Sequence, residues 1–460
     1  MLLTNLLTIL LLFTATMSNE NPVTQPDLTA GYRAAAERII EAATADHHAW
    51  DRLAHLTDYY PHRLGGSQML EDALNWSVKT LTEDGIPKVW TQDVPVPHWV
   101  RGREHARVLH PVTKELPMLG LGGSVGTGGD PITAEVLIVG SFQELKDRAD
   151  EADGRIVVWN VPFTDYGATV QYRGRGAVEA AKAGALASVI RSVTPFSMQT
   201  PHTGGLRYDP DVPRIPGAAI TPEDAEWIQR MVNRGETVEL ELYMEAETLP
   251  DAMSRNVIAE IPGSEFPEEI VVIGCHIDSW DVGHGAMDDA GGCIVTWEAL
   301  RLIHLLDLQP KRTIRLVLFT NEENGIRGAL DYRDMVIENG EIDNHVLALE
   351  VDFGVFEPRG FGFRGSDEAL PLLEQISALL EPIGASTLRQ GTAGTVDVGP
   401  LSREGVPIMG LDVDTERYFW YHHTAADRME IIDANELARC VAAVAVMAYV
   451  VADMPERLPQ

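Results

Sequence analysis

From residue 256 onward, short apolar runs alternate with longer stretches of helical periodicity. The runs at 270–275, 313–320, 346–351 and 407–411 are almost continuously apolar, which suits strands covered on both faces. Between and after them, apolar residues recur at helical spacing over 291–306, 327–338, 368–380 and 434–453. This alternation predicts an α/β domain whose central mixed sheet is mostly parallel and flanked by helices.

The N-terminal half reads differently. Ala34, Ala35, Ile39, Ile40 and Ala43 fall on one helical face, and after a loop at 59–67 a second helix runs through Leu70, Ala73, Leu74 and Val78. Near Pro117 the pattern shifts to a glycine-rich loop at 120–129. Strands are predicted at 134–139, 155–159 and 186–190, a helix at 177–183 and a half-buried strand at 237–244. The expectation is a small β-rich domain at 117–248, inserted into a larger domain formed by 21–116 and 249–460. A chain of 460 residues has room for both.

Composition narrows the function. Lys and Arg total 36 against 69 Asp and Glu, a net charge of −33. Such a surface repels phosphate backbones and anionic lipid, which argues against nucleic acid and membrane surfaces as partners. Residues 1–20 open with a short apolar run from Leu6 to Phe13, followed by Thr14, Ala15 and Thr16. That is the outline of a signal peptide, and it predicts a secreted or periplasmic protein. No Lys or Arg precedes the run, so an uncleaved anchor or a start at Met17 are the alternatives. No other stretch is expected to cross a membrane. Asn75-Trp76-Ser77 is a glycosylation sequon in a eukaryotic secretory pathway. The three cysteines, Cys275, Cys293 and Cys440, are odd in number and lack a pairing spacing; Cys275, in an apolar run, and Cys293, after two glycines, read as small buried hydrophobes.

The chemistry gathers at strand ends. The first strand of the C-terminal half ends at His276-Ile277-Asp278, the second at Asn321-Glu322-Glu323 and the third at Asp352. In open α/β sheets the carboxyl ends of the strands form the ligand edge. A glycine-rich loop, 279–292, presents Asp288 just before a helix, and Tyr421-His422-His423-Thr424 offers imidazoles before the last helix. Each group alone reads as a surface pair, a solvated face or a helix cap. Together, at three strand ends of one domain, they favour a metal site.

Two imidazoles with Asp288, Glu323 and Asp352 suit a pair of zinc ions. Four positive charges are then balanced by three carboxylates and a bridging hydroxide. Glu322 and Glu323 are neighbours and point in different directions, so one can bind metal while the other acts as a base. Asp278 is placed to accept the second ring N–H of His276. Asp397 and Glu416 are candidates for holding a substrate amine, with solvated surface the favoured reading for each. Gly122-Gly123-Ser124-Val125-Gly126 matches a nucleophile elbow, but residues 127–131 cannot begin the helix that the motif requires, so a loop is expected.

These residues resemble a known family. His276-Ile277-Asp278-Ser279-Trp280-Asp281-Val282-Gly283, followed by Gly285-Ala286-Met287-Asp288-Asp289, is similar to the signature of the carboxypeptidase Q branch of the co-catalytic zinc exopeptidases. Trp297-Glu298-Ala299-Leu300, Asn321-Glu322-Glu323, Glu350-Val351-Asp352, His422-His423 and Val450-Val451-Ala452-Asp453-Met454 extend the match over nearly the whole mature chain. The resemblance implies two Zn²⁺ per chain. His276 and Asp352 hold one, Glu323 and His423 the other, Asp288 bridges both, and Glu322 is the general base. It also implies a protease-associated domain at 117–248, a cis peptide at Asp288–Asp289, a homodimer, and small peptides, dipeptides above all, as substrates. Thr320-Asn321-Glu322-Glu323 departs from the family's usual Thr-Ala-Glu-Glu but keeps both carboxylates. Residues 391–400 match the family's substrate-side loop only loosely. The competing readings are a non-catalytic receptor or scaffold on the same fold and a single-zinc acyltransferase that cyclises N-terminal glutamine.

Overall fold

The computed structural model describes residues 27–45, 47–391 and 395–460; the expected signal segment at 1–20 lies outside them. Two eight-stranded sheets organise the chain. The first has the strand order Lys88–Val100, Glu247–Ile261, Arg312–Phe319, Phe266–His276, His345–Glu350, Ile408–Val413, Pro358–Arg364, Thr387–Gln390. The central four, from Arg312–Phe319 to Ile408–Val413, are mutually parallel. Arg312–Phe319 and His345–Glu350 are buried at every position, which is why their runs show no polar alternation.

Helices cover both faces. Leu28–Thr44, Gly291–Leu305 and Ala434–Asp453 pack on one face with Val271 and Ile273. Arg327–Glu338 packs on the other with Val272 and Val317, through Ala329, Tyr332 and Val336. Contrary to expectation, Ala434–Asp453 is long and apolar enough to cross a membrane, with a mean hydropathy of 1.5; yet 78% of its apolar window is buried inside the fold, as in a core helix.

Two long strands were not legible in the sequence. Lys88–Val100 and Glu247–Ile261 pair antiparallel from Lys88 opposite Glu260 to Val100 opposite Glu247. Pro95 and Pro97 interrupt the first. It is an edge strand, where a missing N–H costs no ladder bond.

The second sheet runs Lys114–Leu116, Glu104–His110, Glu239–Met244, Ile132–Val139, Ile156–Trp159, Ala187–Arg191, Gly217–Ile220, Met118–Gly120. Two of its strands lie before residue 117, on the side expected to belong to the larger domain. Their burial explains this: Ala106 and Val108 face inward opposite Leu242 and Leu240. Helices Tyr166–Lys182 and Pro222–Asn233 pack against this sheet, so the region is α/β rather than β-rich. The first helix starts well before residue 177, at the Asp165 cap, whose carboxylate accepts the Ala168 N–H at 2.8 Å.

The cysteines also correct the sequence reading. Cys275 and Cys293 form a buried disulfide across 18 residues, and Cys440 is free and buried. The bridge ties the end of the Phe266–His276 strand to the first turn of Gly291–Leu305, enclosing the loop that bears Asp288. Denatured, unreduced protein should therefore react with a thiol reagent at one site per chain, at Cys440; three reactive thiols would refute the bridge.

Candidate metal centre

His276, Asp278, Asp288, Glu322, Glu323, Asp352 and His423 converge at the carboxyl edge of the first sheet. His276 ends its strand, and its Nε2 lies 3.1 Å from Asp352 Oδ1 and 3.3 Å from Asp288 Oδ1. His423 Nε2 lies 3.4 Å from the other oxygen of that same carboxylate, Asp288 Oδ2, and 3.0 Å from Glu323 Oε2. Asp288 thus turns one oxygen toward each of two imidazoles. The peptide between Asp288 and Asp289 is cis, as the resemblance implied. His422 is farther off, with Nε2 at 3.7 Å from Asp288, and stacks on His423. Of the pair, His423 makes the closer approach to Asp288 and also reaches Glu323.

The chemistry of the donor set fits metal ions. Asp288 Oδ2 and Glu323 Oε1 are buried without a hydrogen-bond partner, although buried carboxylate oxygens are costly to leave unmatched. Burial, reinforced by neighbouring carboxylates, pushes Glu322 and Glu323 well above the ordinary carboxyl range. His276 is pulled down by burial, but its contacts with Asp288 and Asp352 outweigh that and raise it well above the usual value. Cations among these groups would relieve the mutual repulsion, and mixed imidazole and carboxylate donors suit zinc.

Glu322 lines the cleft beside Asp288, Glu323 and Asp352. Among the described residues no hydrogen bond engages its carboxylate, so it is free to act as a base. Asp278 has a different role from the one expected. The ring Nδ1 of His276 lies 3.1 Å from the Asp278 backbone carbonyl and 3.8 Å from its carboxylate. The carboxylate instead accepts the N–H groups of Glu322 at 3.0 Å and Glu323 at 3.2 Å. Asp278 therefore positions the adjacent strand end, and the tautomer of His276 is set by a main-chain oxygen.

Other supports were missed in the sequence because their partners are distant along the chain. Asp427 accepts the N–H groups of Met287 at 2.7 Å and Asp288 at 3.1 Å, fixing the backbone of the shared aspartate. Asp289 accepts from the N–H groups of His276 and Gly292. Arg63, within the loop at 59–67, is fully buried and donates to the carbonyls of Tyr60, Ile277, His284 and Gly285. Burial draws its guanidinium down to about 10, against the pull of Asp427, Asp278 and Asp289. Arg63→Met leaves those carbonyls unmatched and should cost about 3–5 kcal/mol, read as a fall in Tm. An unchanged Tm would remove Arg63 from the frame of the site.

The second-sheet region reaches into the centre. The Thr203 carbonyl lies 3.3 Å from His423 Nδ1, and the Thr203 N–H donates to the His423 carbonyl at 3.0 Å. Trp280 packs beside His423, and a Cβ on Gly122 would overlap the Trp280 ring. The Gly122–Gly126 segment is a loop, as expected. Ser124 is buried, donates to the Val125 carbonyl and accepts the Gly217 N–H, so it is no nucleophile. Asp397 is not solvated surface: it is fully buried, next to Glu350, whose carboxylate accepts the N–H groups of Val396, Asp397 and Val398. Glu416 is exposed. Neither lines the cleft, so neither meets a substrate amine there.

The cleft in front of these residues encloses about 620 Å³ and is walled by both sheet regions, from Gly122, Arg173 and Arg207 on one side to Glu322, Asp352 and Phe353 on the other. Its size suits a small ligand.

The profile of Peptidase family M28 matches residues 256–448. Carboxypeptidase Q of Xenopus laevis is 48% identical over 434 residues, covering 94% of this chain and 92% of that protein. A crystal structure of a Peptidase M28 precursor from Shewanella amazonensis superposes with a TM-score of 0.90 at 34% identity, covering 94% of this chain and 99% of that one. A zinc aminopeptidase from Bacillus subtilis shares the fold, with a TM-score of 0.67 at 20% identity over 89% of this chain and 96% of that one. The chain belongs to peptidase family M28, in its carboxypeptidase Q group.

Proposed function

We propose that the protein is a secreted exopeptidase that holds two zinc ions and hydrolyses dipeptides or other short peptides. One observation carries this reading: the two oxygens of Asp288 face different imidazoles, at 3.3 and 3.4 Å. On this reading His276 and Asp352 hold one ion, Glu323 and His423 the other, and Asp288 is shared. When bound, zinc would lower the pKa of a water and polarise the scissile carbonyl. The chain's own groups do the rest. Glu322 takes a proton from the attacking water and returns it to the departing amine. Asp278 and Asp427 hold the backbone of the ligand residues through paired N–H contacts. The Thr203 carbonyl accepts the hydrogen bond of the His423 Nδ1–H, which keeps the proton on Nδ1 and leaves Nε2 free to face the metal.

The region bearing the second sheet is read as a protease-associated domain, with its start moved from 117 to about residue 101, and the assembly as a homodimer. Residues 1–20 are read as the exported signal.

Metal analysis tests the centre. Two zinc per chain, with dipeptide hydrolysis abolished by a chelator and restored by zinc, is the expected result. One zinc per chain would revive the glutamine-cyclising alternative, and none would favour the non-catalytic scaffold.

A further inference from the structure

The cleft wall built from the second-sheet region carries two guanidinium groups that make no direct ion pair among the described residues. Arg173, on the helix Tyr166–Lys182, is only 8% exposed. Its NH1 lies 3.4 Å from the Thr203 carbonyl and 3.3 Å from His423 Nδ1, its NH2 donates to the Tyr166 hydroxyl at 2.9 Å, and its Nε has no partner. Arg207 lines the same cleft with an exposed side chain. Its backbone N–H donates to the Gly174 carbonyl at 3.0 Å, which sets it beside the turn that bears Arg173.

Unpaired cations are unexpected in a chain of net charge −33. Arg52 is paired with Asp84 and Glu298, Arg101 with Asp281 and Arg315 with Glu260, while Arg63, which has no carboxylate partner, spends its donors on four backbone carbonyls. A buried guanidinium without a counter-charge is costly unless a ligand completes it. Its planar fork of donors matches a carboxylate. One imidazole ring separates Arg173 from the Nε2 that faces Glu323 and Asp288, a distance that about one or two peptide residues span.

We propose that Arg173 and Arg207 form the subsite for the C-terminal carboxylate of a short peptide. They thereby confine hydrolysis to substrates whose free carboxyl end lies within about two residues of the scissile bond. This rests on the peptide-hydrolysing reading of the metal centre. Both arginines come from the second-sheet region, so that region selects the substrate while the first sheet supplies the chemistry.

The test compares an alanyl dipeptide bearing a free carboxyl end with its C-terminal amide, on zinc-loaded wild type, Arg207→Met, Arg173→Met and Arg173→Lys. Hydrolysis is followed as kcat and KM, and zinc content is measured for each protein. Wild type should favour the free acid. Arg207→Met should raise KM for the acid by about 10- to 100-fold, with kcat, zinc content and the amide's kinetics little changed. Arg173→Met should raise KM for the acid more strongly than for the amide, on top of any common loss from its contact with His423, and Arg173→Lys should restore part of the preference. Equal losses on acid and amide, or a fall in kcat alone, would instead make the arginines supports of His423 or of the transition state and overturn the subsite.

Binding separates this idea from the catalytic one. Calorimetry on zinc-loaded Glu322→Gln protein, with and without Arg207→Met, reads the acid and the amide directly. Acid-selective binding that Arg207→Met removes supports the subsite even if wild type hydrolyses neither compound. Hydrolysis of both compounds with no discrimination overturns the subsite and leaves the peptidase reading intact. Absence of both binding and hydrolysis overturns both.

Discussion

Glu322→Gln should retain its zinc and lose about 10²- to 10⁴-fold in kcat, the range that a positioned general base supplies. The amide keeps the size and shape of the side chain but cannot take a proton. Glu322 makes no hydrogen bond through its carboxylate among the described residues, so little of the fold depends on its charge. Its backbone N–H stays bonded to Asp278 whatever the side chain is. Thermal stability and zinc content should therefore match wild type while turnover collapses. Near-normal turnover would move the proton transfer to another group. A parallel loss of zinc would make Glu322 a ligand.

The second large effect is expected at Asp288. In Asp288→Asn one of the two carboxylate oxygens becomes an NH₂ donor, which repels a cation, and the formal negative charge disappears. His276 and His423 both approach this one side chain, from opposite oxygens. Both ions should therefore be affected, with zinc affinity lowered by more than the roughly 10- to 100-fold typical of supporting residues. Asp352→Asn gives the contrast, since Asp352 contacts His276 and no contact joins it to His423. It should weaken one ion and leave the other. Loss of a single equivalent from Asp288→Asn would refute the shared ligand, and circular dichroism on the same samples would show whether the fold survived.

Much of the scaffold was readable from hydrophobic pattern. The helices at Arg327–Glu338 and Ala434–Asp453 have the predicted bounds, and the four parallel strands lie within a few residues of their apolar runs. Continuous burial on both faces leaves an unbroken apolar run, which makes such strands conspicuous. The edge ribbon and the first strands of the second sheet stayed hidden because their faces are mixed and Pro95 and Pro97 break the alternation. The disulfide stayed hidden because Cys275 and Cys293, 18 residues apart, meet only when the loop between them folds back.

The sequence by itself located the residues proposed for the chemistry: His276, Asp288, Glu322, Glu323, Asp352 and His423 stand at strand ends or beside helix starts, positions that the local pattern dictates. Only the tertiary structure decided how they are used. It split the Asp288 carboxylate between two imidazoles, gave the Asp278 carboxylate to two backbone N–H groups and brought Thr203 and Arg173 to the back of His423. Periodicity follows from the backbone's repeat over a few residues. The partners at this site, such as Arg173 and His423 at a separation of 250 positions, depend on where whole sheets pack, and no local pattern records that.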